Sequence, residues 1–132
     1  MNLNKQTILA AQDLVTEAVD VSEWGGTVHV RTMNGLERDN FEKSLLVGEG
    51  KNRQVDMTNM RARLVCLCAV DEEGNRLFDD GDADALGKKS AAALDRVAEV
   101  ARRLNGMSEK DVGNIAKNSE AAPSGASTSG SV

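Results

Sequence analysis

The amino-acid sequence predicts an α+β fold: a single, mainly α-helical domain with an N-terminal β-hairpin and a disordered C-terminal tail. Three observations carry this. Residues 16–21 and 27–33 alternate polar with apolar, often β-branched, side chains on either side of Glu23-Trp24-Gly25-Gly26. Residues 56–70 and 90–105 repeat apolar side chains at the spacing of a helix face. From Asn118 the chain reads NSEAAPSGASTSGSV, with no aromatic side chain and a single charge. Period-two alternation split by a glycine pair is a hairpin signal, and spacings of three and four mark a helix. A stretch so poor in apolar surface cannot offset its chain entropy. The domain is therefore expected over residues 1–117, and the Ser/Gly/Ala-rich tail over 118–132.

In chain order, residues 4–12 predict a short helix with Asn2 or Asn4 as cap and Ile8 and Leu9 as its apolar positions. The hairpin follows across Trp24-Gly25-Gly26, with Val28 and Val30 on one face and the glycines supplying a tight turn. A lone hairpin is marginal in water, so one face must rest on helices or on another copy. Asn34 reads as an N-cap and Glu37, three residues on, completes a capping box. The helix so started is expected to carry Leu36, Phe41, Leu45 and Leu46 inward. Gly48-Glu49-Gly50-Lys51-Asn52 breaks it as a loop.

The helix over 56–70 places Met57, Met60, Leu64 and Leu67 on one face, which Val65, Cys68 and Ala69 widen. Arg76-Leu77-Phe78 reads as a short extended or packed segment, and Ala85-Leu86 as one helical turn before Gly87. In the helix over 90–105, Leu94, Val97, Ala101 and Leu104 form one seam. Ala93, Val97, Val100 and Leu104 form a second beside it. Asn105-Gly106 is its expected C-cap. Ser108 opens a brief last helix through Val112, Ile115 and Ala116, which Gly113 weakens by about 1 kcal/mol relative to alanine.

Composition excludes several classes. At 132 residues there is room for one modest core. Sixteen basic against 21 acidic side chains give a net charge of −5, which argues against nucleic-acid and anionic-membrane surfaces. The apolar run 64–70 is too short to span a bilayer, and nothing near Met1 resembles a signal peptide. Cys66 and Cys68 would lie about 200° apart on a helix, so they share neither a bond nor a metal. Buried reduced thiols in a soluble intracellular protein are expected.

No constellation for catalysis emerges, and no enzyme, cofactor or metal is expected. His29 is the only histidine, mid-strand between two valines, so a multi-histidine metal site and a catalytic triad both lack their parts. Neither Gly25-Gly26 nor Gly48-x-Gly50 has the surroundings of a phosphate loop. Asp80, Asp82 and Asp84 alternate as in a calcium loop, but that loop needs glycine sixth and glutamate twelfth, where Ala85 and Ala91 stand. A solvated acidic turn is the simpler reading. Its sharper alternative is protein contact, with Asp79, Asp80, Asp82 and Asp84 facing Arg61 and Arg63, or Arg102 and Arg103, of a neighbouring copy. Such a pairing would orient the contact more than strengthen it.

The segments EWGGTVHVRTMNGLERDNFE, NMRARLVCLCAVDEEGNRLF and LGKKSAAALDRVAEVARRLNGMSE resemble the tail assembly chaperones of long-tailed bacteriophages, in order across residues 1–117. The resemblance implies a non-catalytic protein of the host cytoplasm, absent from the mature virion. It implies binding to the tape measure protein, which it keeps soluble, and recruitment of the tail tube protein through a longer form made by ribosomal frameshifting. Self-assembly around the tape measure is implied as well. The rivals are a virion component for head–tail joining or tail completion, and a small metal-binding regulatory protein. For the tape measure surface the candidates are apolar side chains near element ends: Trp24, Met33, Phe78 and Met107. The competing role for Trp24 and Phe78 is simply to fill the core.

Overall fold

In the computed structural model, which describes residues 1–107, strands β1 (Thr16–Val21) and β2 (Gly26–Arg31) pair antiparallel. Val19 stands opposite Val28 and Glu17 opposite Val30. The inward face carries Val19, Val21 and Val30 into the core. The outer face pairs Ala18 with His29 and Asp20 with Thr27, whose side chains hydrogen-bond at 3.0 Å. The turn departs from expectation. Ser22–Trp24 form a single 3-10 turn closed by Gly25 at φ +81°, whose N–H donates to the Ser22 carbonyl, and Gly26 already belongs to β2. One left-handed residue suffices there, so the Gly-Gly pair is not used as a pair.

The N-terminal helix α1 (Lys5–Ala10) is shorter than expected, with Asn4 as its cap, and buries nothing. Helix α2 (Gly35–Ser44) starts at the predicted capping box: Asn34 accepts from the Glu37 N–H at 2.8 Å and Glu37 accepts from the Asn34 N–H at 2.9 Å. Phe41 and Leu45 turn inward, one helical turn apart, and Leu46 is half-buried. Leu36 does not follow them and is 71% exposed. It precedes Phe41 by five residues, about 140° around the axis, so the two cannot share a face.

The expected loop is the tip of a small ribbon, β3 (Leu46–Val47) paired with β4 (Gln54–Val55). The helix expected over 56–70 is trimmed at both ends. Asp56 accepts from the Thr58 N–H in an Asx turn, Asn59 adopts φ +55°, and helix α3 (Met60–Cys68) begins only then. Met57 is consequently left at 48% exposure rather than on the helix face. At the other end Ala69–Val70 form β5, which pairs with His29 and Val30 and makes a three-stranded sheet in the order β1-β2-β5. Two paired residues there satisfy backbone groups that another half-turn of helix would have left at a buried end. Val70 also bridges Arg76, after which the chain bends at Leu77 and Phe78, with Phe78 packed half-buried against the core.

After a 3-10 turn at Asp80–Asp82 come α4 (Ala83–Leu86) and α5 (Ala91–Leu104). Ser90 caps α5 by accepting from the Ala93 N–H at 3.2 Å. Ala93, Leu94, Val97, Ala98 and Ala101 are buried. They lie against α3 and the inner face of β1 and β2, where the alanines let the helix approach closely. The hairpin thus finds its cover within the chain. The helix is closed at Gly106, φ +66°, with the Met107 N–H donating to the Arg102 carbonyl at 2.7 Å. The final helix expected from Ser108 and the tail from Asn118 lie outside the described residues.

Candidate partner-binding surfaces

Two of the four candidate apolar side chains are core. Met33 is 7% exposed and Met107 is fully buried, so both leave the candidate surface. Each sits at an element end and is nonetheless enclosed. The Met33 N–H donates to Asn105 Oδ1 at 2.8 Å, tying the end of β2 to the end of α5. Trp24 and Phe78 are half-buried against the core. Trp24 ends the hairpin turn, with its ring Nε1 buried and unbonded. Beside it Glu23 accepts from both terminal nitrogens of Arg96, at 2.7 and 2.9 Å, which clamps the turn to α5. That guanidinium holds the Glu23 carboxyl well below the usual range, at about 2.

The acidic turn is organised by its own members. Asp79 and Asp82 cap one another, Asp80 pairs with Arg76 at 2.8 Å, and Asp84 is exposed. The four candidate arginines are all engaged within the chain. Arg61 pairs with Asp95 at 2.9 Å, Arg102 with Glu99 at 2.9 Å and Arg103 with Glu17. Arg63 donates to the carbonyls of Asp56 and Ser44, at 2.7 and 3.3 Å. By contrast Lys5, Lys43, Lys51, Lys88, Lys89 and Arg53 have no side-chain partner among the described residues. Sequence reasoning missed these cations because nothing local says which charges pair across the fold.

It also missed the exposed apolar side chains Leu36, Val47, Met57 and Leu77, and those of residues 1–15. A shallow cleft of about 170 Å³ opens between α2, α3 and α4, with Phe41, Cys66, Leu67 and Ala83 below and Asn40, Ser44, Arg63 and Asp80 around it. Metabolite pockets run from roughly 300 Å³ upward, so this space suits a side chain better than a small molecule. The cysteines are buried and unpaired. Desolvation pushes the Cys66 thiol up to about 11 and Cys68 to about 12. No group of three or more metal-ligating side chains occurs among the described residues. No helix among them is long and apolar enough to cross a membrane.

A phage tail assembly chaperone family model matches residues 3–120. The chain belongs to that family. The match takes in all three segments that carried the resemblance and most of the chain's length. Membership makes the chaperone a bacteriophage tail assembly protein that interacts with tail components, and a chaperone family points to a non-catalytic role. No curated protein and no solved structure matches the chain.

Proposed function

We propose that this chaperone binds the tape measure protein in the host cytoplasm and keeps that long helical polypeptide soluble. On this reading it promotes assembly of the tail tube around the tape measure and is left out of the mature virion. The tail tube protein is reached through a longer, frameshifted form, and copies of the chain associate with one another. The family match carries the reading. The surface supports it: apolar side chains are dispersed over several elements rather than gathered in a deep pocket. A client with apolar stripes along its length is best held by many weak contacts, with avidity supplying the affinity. Half-buried Trp24 and Phe78, with exposed Leu77 and Met57, are the contact candidates. In self-association the acidic side remains Asp79, Asp80, Asp82 and Asp84. The cationic side shifts toward the unpaired lysines, since Arg61, Arg63, Arg102 and Arg103 would first have to leave their partners.

Co-expression with the tape measure protein is the test. Phe78→Ala and Leu77→Ala variants that fold but leave the tape measure insoluble are the expected result, and Trp24→Ala is compared alongside. Wild-type chain that fails to keep the tape measure in solution would refute the reading. Finding the chain in purified virions would favour a structural joining or completion protein instead.

A further inference from the structure

Residues 1–15 add nothing to the core. None is buried, and Leu3, Ile8, Leu9, Leu14 and Val15 are 40–74% exposed. Yet the segment holds a capped helix, with Asn4 Oδ1 accepting from both the N–H and the hydroxyl of Thr7, at 2.9 and 2.7 Å. Isolated helices shorter than about 12–15 residues are marginal in water, so six residues need a surface to lie on. Lys5, Ile8 and Leu9, at i, i+3 and i+4, share one side of α1.

The cleft between α2, α3 and α4 offers the complementary face. Phe41, Cys66, Leu67 and Ala83 give it an apolar base, and no residue of the N-terminal segment lines it. Leu36, 71% exposed, stands one helical turn before Asn40, outside the cleft's lining. Asp80 is on the rim, within the run Asp79, Asp80, Asp82 and Asp84, of which only Asp80 has a basic partner among the described residues. The N-terminal segment carries Lys5 and has no acid before Asp13. Apolar side chains beside a lone basic side chain match an apolar cleft whose Asp80 edge continues into the acidic run through Asp84. Arg63 on the same rim is held by the Asp56 and Ser44 carbonyls.

We propose that the N-terminal segment of one copy docks in the α2–α3–α4 cleft of a second copy, with Ile8 and Leu9 in the cleft and Lys5 toward the acidic turn. Each copy presents one arm and one cleft, so the contact is head to tail and repeats, giving a ring or an open helical assembly. It rests on the reading that copies associate, and adds which surfaces meet.

Sedimentation velocity of the full chain over a range of concentration, at low and high salt, tests it. Wild type should form a series of larger species, fewer at high salt. Ile8→Asp/Leu9→Asp should weaken association about tenfold or more while leaving the melting temperature, taken at a dilution where wild type is monomeric, nearly unchanged, because these side chains lie outside the core. Asp84→Lys should weaken it from the cleft side. A mixture of the two variants should stop at dimers, because only one good arm and one good cleft remain to meet. Lys5→Glu should weaken association and regain it when combined with Asp84→Lys. Wild type that stays monomeric overturns the proposal, whether its arm closes on its own cleft or awaits a tape measure helix. Undiminished association of the arm variant also overturns it, but leaves self-association standing through another surface.

Discussion

Replacing Asn105 with alanine should cost about twice the loss of an exposed helix cap. In the structure its side chain joins three elements. Oδ1 accepts from the Met33 N–H at 2.8 Å, and Nδ2 donates to the Ala101 carbonyl at 2.8 Å and to Cys68 Sγ at 3.7 Å. Its backbone carbonyl accepts from Arg38 at 2.9 Å, a contact the substitution keeps. Alanine strands the Met33 N–H beside a side chain that is 7% exposed. An amide left unpaired costs about 1–3 kcal/mol, and the part-buried setting favours the lower half of that range. The lost bond to Ala101 adds about 0.5–1 kcal/mol, for a sum of about 2 kcal/mol. In a domain of this size that lowers Tm by roughly 10 °C. Urea unfolding followed by circular dichroism measures it, with an unchanged slope showing that the denatured state is not the cause. Asn34→Ala, which removes an exposed cap worth about 1 kcal/mol, is the comparison. An Asn105→Ala variant within about 0.5 kcal/mol of wild type would refute the reasoning, because water would then be replacing the amide in full.

Three further outcomes are expected. Glu23 titrates at about 2, so its pair with Arg96 supports the fold at pH above the ordinary 4.5 and fades as pH falls toward 2. Carboxyl NMR titration should show Arg96→Gln returning Glu23 to its ordinary range; an unmoved titration would remove Arg96 as the cause. The thiols are raised from 9.0 to about 11 and 12, so their contribution is intact below pH 9 and is lost as pH climbs through those values. At about pH 8 both should resist alkylation in native protein and react in urea, and fast native labelling would contradict their burial. Gly48→Ala should destabilise by about 1–2 kcal/mol, since Gly48 lies at φ +89° and a Cβ there would meet the Asn52 carbonyl oxygen at 2.6 Å. Gly50→Ala, also at positive φ but facing open space, should cost less by thermal melting, and equal losses would refute the clash.

What could be read from the sequence was local. The Asn34–Glu37 capping box, the Gly106 closure and the two seams of α5 each depend on residues within a few positions. What could not be read depends on distant parts of the chain. Ala69-Val70 extends an apolar run and looks like more helix, but β2 lies beside it and takes it as a strand. Leu36 looks inward because it is apolar, while the cap at Asn34 sets the phase of α2 and turns it outward. Met33 and Met107 sit at element ends, where exposure seems natural, but both are buried, and the Met33 N–H is tied to Asn105 at the end of α5. Family membership was legible because it rests on the order and content of long segments. The candidate surfaces were legible only by residue type, since exposure is decided by the fold.

The division between arginine and lysine connects the fold to its work. Every arginine among the described residues except Arg53 donates to a carboxylate or to a backbone carbonyl through its side chain. No lysine among them has such a partner. Guanidinium suits this tying role, because its planar fork meets an oxygen with fixed geometry and sheds water readily. Arg96 on Glu23 and Arg103 on Glu17 thereby fasten α5 to the hairpin, and Arg61 on Asp95 joins α3 to α5. The lysines are strongly hydrated charges on flexible stems, suited to contacts that steer and then let go. In a protein of net charge −5 the lysines among the described residues would, on the proposed self-association, be the cations open to a neighbouring copy's acidic turn. Exposed pairs of that kind are worth about 0.2–1 kcal/mol each and weaken with salt. If copies associate as proposed, an assembly held by such pairs and shallow apolar contacts would dissociate when a tighter partner covers the client. That reversibility is what the proposed role requires, since on that reading the tail tube replaces the chaperone.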